Sequence, residues 1–268
     1  LSSVCLDIFN GARFKRYYVS KRELGVPFMG NSDMLKSDFQ KLKLLSRKHT
    51  YNLKPLTIDS NWILVSCSGT IGKTVYTNQE FSGKTASQHV MRIVPNNKKI
   101  LGGFLYSFLT STYGFSLLTQ GTYGAVIQHI EPHHIEDLPV PIFPDEQQKK
   151  IHNLVQEASS LRVEANKTLN DVIRKIDSQF KYKKTSKSYV VNIKSIKSGN
   201  EYTNEARLES DYYNPSTNSV IKQIKESNWK YLGAVADEIH RSGLRDRTFV
   251  SKGIPLVTGQ NLNLSRLT

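Results

Sequence analysis

Residues 145–180 hold neither glycine nor proline, and this 36-residue stretch constrains the fold more than any other part of the chain. With no chain breaker inside it, it predicts one continuous helix about 54 Å long. Pro144 stands where a helix starts, and Asp145 and Glu146 complement the positive end of the helix dipole. Apolar side chains fall at Ile151, Leu154, Val155, Ala158, Leu161, Ala165, Leu169, Val172, Ile173, Ile176 and Phe180, a single stripe along the rod. A rod of this length cannot bury its stripe in a small domain beside it. The stripe therefore calls for a partner helix, packed through Ile151, Leu154, Ala158, Leu161, Leu169, Val172 and Ile176.

The regions on either side of this rod begin alike. Residues 1–21 and 232–252 align without a gap and share Leu1/Leu232, Val4/Val235, Ile8/Ile239, Arg16/Arg247, Val19/Val250, Ser20/Ser251 and Lys21/Lys252. Seven identities in 21 positions compare with roughly one or two expected by chance at average composition. After a three-residue gap, Gly25-Val26-Pro27 matches Gly253-Ile254-Pro255. A period of about 230 residues is far too long for a solenoid unit. It predicts two copies of one domain, the second cut off soon after it starts, and two like domains suit a target with two like halves.

Composition narrows the partner. Hydrophobic residues at 38% and charged residues at 22% are globular values, while a net charge of +14 favours a polyanion, of which nucleic acid is the commonest. No run of 18 apolar residues marks a membrane span, and the start at Leu1 has neither a basic nor an apolar signal region. The missing initial Met suggests a start inside a longer gene product. Cys5 and Cys67 are too few for a disulfide scaffold or a cysteine zinc site; they fit a reducing cytoplasm, as small buried hydrophobes.

The fold class expected is α+β: residues 1–144 a mixed α/β recognition domain, 145–180 the long helix, 181–204 a basic linker, and 205–268 the start of the second domain. In the first of these, residues 61–66 and 89–94 read as strands and 102–118 as a buried helix or helix pair. Gly121-Thr122-Tyr123-Gly124 reads as a turn leading into a strand at Ala125-Val126-Ile127. The prolines of residues 138–144 exclude a helix and predict an extended strap that ends the domain. Farther on, Tyr212-Tyr213-Asn214-Pro215 reads as a turn before a helix through Val220, Ile221 and Ile224.

Several motifs tempt and fail. Ser68-Gly69-Thr70-Ile71-Gly72-Lys73-Thr74 looks like the tail of a phosphate loop, but Cys67 stands where that loop needs its first glycine, and Val75-Tyr76-Thr77 favours a strand over the required helix. Gly69 and Gly72 are better placed in a tight β-turn. His129, Glu131, His133, His134, Glu136 and Asp137 crowd one stretch, yet Pro132 interrupts it and no fourth ligand is supplied, so a polar helix start on the surface is the better reading. No Glu-x-Lys, no Asn/Asp-Pro-Pro-aromatic and no Gly-x-Gly-x-x-Gly occurs. The chain is expected to bind and position rather than react, with no cofactor and no metal.

The positive signal is a set of loops that interleave basic, aromatic and amide groups. Arg13, Lys15, Arg16, Tyr17 and Tyr18 suit a DNA surface, since arginine reads guanine bidentately while lysine and tyrosine hold phosphates. Arg245 and Arg247 keep that character in the repeat, and Lys73, Gln88, His89 and Tyr123 sit in or beside turns, where glutamine can pair with adenine.

These segments resemble the specificity subunits of type I restriction-modification systems. The resemblance rests on residues 64–72, Ser87-Gln88-His89, residues 108–111 with Tyr113-Gly114, residues 121–127, Leu138-Pro139-Val140-Pro141, the helix from Gln147, and the run 206–213 that opens the second unit. It implies two target recognition domains that each read half of a split double-stranded DNA sequence. It also implies conserved helices that pack antiparallel, separate the domains and dock methyltransferase subunits, with the restriction subunit as a further candidate partner. A recognition part of a fused type II enzyme and a helical interaction scaffold remain the alternatives.

Overall fold

The computed structural model describes residues 1–36, 38–124, 128–181, 188–192 and 210–239. Its contacts divide the chain inside the long helix, into one unit running to Lys167 and a second starting at Thr168. The first unit contains β1 (Cys5–Asn10), β2 (Tyr18–Val19), β3 (Gly25–Met29), β4 (Lys43–Ser46), β5 (Ile63–Ser66), β6 (Thr74–Tyr76), β7 (Thr85–Ala86) and β8 (Val90–Pro95). One sheet runs β1-β8-β5-β6 and is antiparallel throughout; the other runs β2-β4-β3-β7, with β3 and β7 parallel.

The unbroken apolar run of β5 has a direct cause: both its faces are covered. Ile63 and Val65 join Met91, Ile93, Phe104, Leu105 and Leu109 in one core cluster, while Leu64 packs on the other face with Met29, Met34, Ile58 and Phe81. Each such side chain contributes about 1.5–3 kcal/mol by leaving water. The tight turn between β5 and β6 has φ near +75° at Gly69 and +78° at Gly72, as the glycines imply.

The helix pair expected over residues 102–118 is α1 (Gly102–Thr110) and α2 (Thr112–Gln120). Ser111 separates them and caps α2 by accepting a 3.2 Å hydrogen bond from the Gly114 N–H. The two helices meet so closely there that a Cβ on Gly114 would lie 2.1 Å from the Phe108 carbonyl oxygen. A short α3 (Pro132–Ile135) follows with Glu131 as its N-cap, the polar helix start expected of the histidine-rich stretch. Residues 138–144 are non-helical, and Leu138 and Val140 pack against the core.

α4 (Asp145–Asp177) is 33 residues, about 50 Å, and stops short of the expected end at Phe180. Ser178 there donates its hydroxyl to the Lys175 carbonyl, a local bond that competes with continuing the helix. Only part of the apolar stripe meets the core of the first unit. Ile151 and Val155 are half-buried on the core, but Leu154 and Leu161 are 60% and 58% exposed. Polar side chains help to seat the helix. Gln148 donates to the Phe143 carbonyl at 2.8 Å, His152 Nδ1 accepts from the Gly103 N–H at 3.0 Å, and Gln156 donates to the Tyr76 hydroxyl at 2.9 Å. These three lie four residues apart, on one face. Lower down, Asn166 donates to Glu80 at 2.8 Å. Of the two free thiols, Cys67 is buried as expected, whereas Cys5 is only half-buried.

The second unit holds the end of α4, a 3-10 turn at Ser210–Tyr213 and α5 (Pro215–Lys225), whose N-cap Asn214 accepts from the Ser216 N–H at 2.9 Å. A 3-10 turn at Leu232–Ala234 lies one position out of register with the turn at Ser2–Val4 in the first unit, on the 1/232 alignment. Residues 236–239, aligned with the start of β1, form no strand, and Val235 and Ile239 are each 62% exposed. Arg245 and Arg247, most of the basic linker and the strand expected at 125–127 lie outside the described residues. Among the described residues no helix is long and apolar enough to cross a membrane.

Candidate nucleic-acid interface

Phe28 organises the basic loop between β1 and β2. Its buried ring meets Phe14 at 6.2 Å, the Arg16 guanidinium at 5.1 Å and Tyr18 at 6.2 Å, so every second residue of the loop is held on one hub. Lys15 and Tyr17 meet each other, with Nζ 5.3 Å from the ring centroid, and Tyr17 also lies 5.4 Å from the His49 ring. Lys43 covers Tyr18 at 5.3 Å. The cations are thus spread over aromatic faces and remain exposed.

The turn between β7 and β8 reaches the same place. Arg16 donates to Gln88 Oε1 at 2.7 Å, and Gln88 Nε2 lies 3.1 Å from His89 Nε2. His89 faces His129 with ring centroids 6.1 Å apart, and the Tyr123 ring lies tilted 6.0 Å from His129 and edge-on 5.2 Å from His134. The Tyr123 and His129 backbones form a bridge, and Gly69 N–H bonds the Gln128 carbonyl, which joins the glycine turn to this segment.

The electrostatics follow from this crowding. Burial holds the His89 imidazole below its ordinary pKa, aided by the positive charges of His129, Arg16 and Arg13 and opposed by Glu131. Glu131 is in turn held by Asn10, which donates to it at 2.7 Å. His89 is therefore neutral at pH 7, with one donor and one acceptor, while the arginines carry the charge.

Of the residues expected from sequence, Arg13, Arg16, Gln88, His89 and Tyr123 come together, with Lys15, Tyr17 and Tyr18 beside the two arginines on the same basic segment. Lys73 does not join them. Its ammonium lies over Phe115 at 5.9 Å and lines a cavity of about 600 Å³ together with Phe81, Ile151 and Arg162, because the β5–β6 hairpin turns it toward α4. His129, Asn10 and Glu131 are additions the sequence reading missed. In sequence His129 belongs to the histidine-rich stretch read as a surface helix start rather than a metal site; its ring faces His89, 40 residues away. Among the described residues no three His, Cys, Asp or Glu side chains are grouped to hold a metal ion.

Comparison with known proteins bears on this arrangement. A family described as the type I restriction modification DNA specificity domain matches residues 5–175. Among solved structures, the chain is similar to a type I restriction-modification system S subunit from M. genitalium, at 18% identity over 65% of this chain and 41% of that one, with a TM-score of 0.42. It is also similar to the HsdS subunit from Thermoanaerobacter tengcongensis, at 18% identity over 61% of this chain and 38% of that one, with a TM-score of 0.40. The chain spans less than half the length of either solved chain. No curated protein matches it.

Proposed function

The chain belongs to the type I restriction-modification DNA specificity domain family, and on that premise we propose that its first unit reads double-stranded DNA through the face built around Arg16 and Gln88. The observation that carries the reading is their 2.7 Å contact, made across 72 residues of sequence, which sets an arginine fork and an amide side by side on an exposed surface. Those two groups are suited to guanine and adenine edges in the major groove. Lys15, Arg13 and the tyrosines of the loop are suited to phosphate, and the +14 charge supports attraction to a polyanion at long range.

The unit reads one half of a bipartite target, and the region from residue 205 begins the domain that reads the other. α4 separates the two and docks methyltransferase subunits through the stripe that its own domain leaves bare: Leu154, Leu161, Leu169, Val172, Ile173 and Ile176. The chain positions modification and restriction subunits on DNA and performs no chemistry itself. Binding to a randomised duplex library across a salt series tests this. A selected sequence, with affinity falling linearly in log salt, is the expected result. Methyl transfer or strand cleavage by this chain alone would overturn it.

A further inference from the structure

Arg92 lies in the middle of β8, where strand alternation turns its side chain away from Met91 and Ile93 and into the space between the two sheets. It is fully buried, and among the described residues no carboxylate forms a salt bridge with it. Its guanidinium is instead surrounded by carbonyls. Nη1 donates to Ser87 at 3.0 Å and Val90 at 2.5 Å, and Nη2 donates to Ala86 at 2.7 Å and Leu56 at 3.1 Å. Three of these four carbonyls belong to Ser87 in the turn that carries Gln88 and His89 and to the strand ends Ala86 and Val90 that flank it. The fourth belongs to the segment that packs with Phe28 in the core beneath the basic loop.

The other side of the guanidinium meets the start of that loop. A Cβ on Gly11 would lie 3.0 Å from Nη1 and 3.2 Å from Nη2, and the Phe9 ring centroid is 5.9 Å from Cζ. Gly11 therefore gives the guanidinium its room, and the chain passes directly from there into Arg13 and Arg16. A buried cation without an anion is costly, and an apolar residue of similar volume in a sheet core is commonly as stable or more so. Packing does not account for an arginine at this position. A planar fork that fixes several carbonyls at once does.

We propose that Arg92 is a positioning residue for sequence discrimination: it fixes the Ser87–Val90 turn and the Gly11 end of the basic loop in register, so that Gln88 and Arg16 present one shape to the bases. This rests on the DNA reading above and adds a residue that touches no DNA. Replacement by Lys supplies a single ammonium that cannot span the four carbonyls, and replacement by Met supplies bulk without donors.

The test compares wild type, R92K and R92M for binding to a duplex selected from a randomised library and to the unselected pool, together with amide hydrogen exchange at residues 87–90. The expected result is selectivity reduced by about tenfold or more, pool affinity and salt slope unchanged, and faster exchange at 87–90. A purely structural role would lower selected and pool binding together, in proportion to folded protein. Should R92M fail to fold, R92K and its exchange decide. Native selectivity in folded R92K with unchanged exchange overturns the proposal alone. Wild-type protein that binds every duplex alike overturns the DNA reading and the proposal together.

Discussion

Arg16 and Gln88 share a 2.7 Å hydrogen bond although 72 residues separate them, and the same guanidinium rests 5.1 Å from the centroid of Phe28. The pair is pre-set: the arginine is held by an aromatic face below and an amide beside it. Such a contact limits the rotamers either side chain loses on meeting a ligand.

The consequence is coupling. Replacing Arg16 by Ala is expected to cost about 1–3 kcal/mol at the preferred duplex and to relax one base position. The double change with Gln88→Ala should cost less than the sum of the single changes, because each side chain orients the other. Fluorescence anisotropy on the four duplexes that differ at that base position, the selected one included, measures both effects. Additive losses would show that the bond is incidental to recognition.

Lys15 is expected to behave differently. Its ammonium sits over Tyr17 and is exposed. Lys15→Ala should weaken all duplexes alike and reduce the slope of log affinity against log salt by about one. A change in base preference would place Lys15 at a base edge instead of a phosphate.

The contrast between these residues marks what the sequence could and could not reveal. The proline strap, the breaker-free helix and the glycine turn are dictated by backbone chemistry that acts over a few residues, so they are legible directly. Phe104, Leu105, Leu109 and Leu118 announce the helix pair by spacing alone, and all four are buried. Arg92 is not legible. Within His89-Val90-Met91-Arg92-Ile93 it takes the place of an outward polar residue in a half-exposed strand, and only the second sheet, brought over it from distant sequence, makes it a core residue. The same applies to the helix seat. Gln148, His152 and Gln156 read as the solvent face of an amphipathic helix, yet their partners Phe143, Gly103 and Tyr76 turn them into its attachment.

Gly114 tests the helix pair. A methyl group there would enter the Phe108 carbonyl and come within 2.6 Å of the Leu109 Cα, both backbone atoms that cannot swing aside. Gly114→Ala is expected to destabilise the first unit by about 1–3 kcal/mol, read as a lower urea midpoint with an unchanged slope. Undiminished stability would mean that α1 and α2 separate without cost.

Acid should weaken the fold. Burial lowers the pKa of His89 and His152 from 6.5, and His152 Nδ1 must stay unprotonated to accept from Gly103. The unfolded chain takes up protons on these rings around pH 6.5, while the folded chain takes them up only at lower pH. Below that point the unfolded state binds more protons, so stability is full above pH 6.5 and falls as the pH falls. Thermal melts from about pH 7.5 down to 5.5 should show a declining Tm, and His152→Gln, whose amide oxygen can still accept, should decline less. Equal declines in the two proteins would remove His152 from the account.

The seat of α4 also decides where a ruler can be shortened. Gln148, His152, Gln156 and Asn166 tie the first part of the helix to its own domain, so a deletion inside that span would disturb the attachment as well as the length. Removing residues 168–174, seven positions beyond the last of these bonds, takes out two turns and about 10.5 Å while leaving the exposed face nearly in phase, since a heptad drifts by about 20°. In a full-length protein that carries both recognition domains, the preferred gap between half-sites should then shrink by about three base pairs, at 3.4 Å each, with the bases read in each half unchanged. Selection from a library with randomised spacer length reads this directly. An unchanged gap in a folded deletion variant would show that α4 does not set the distance.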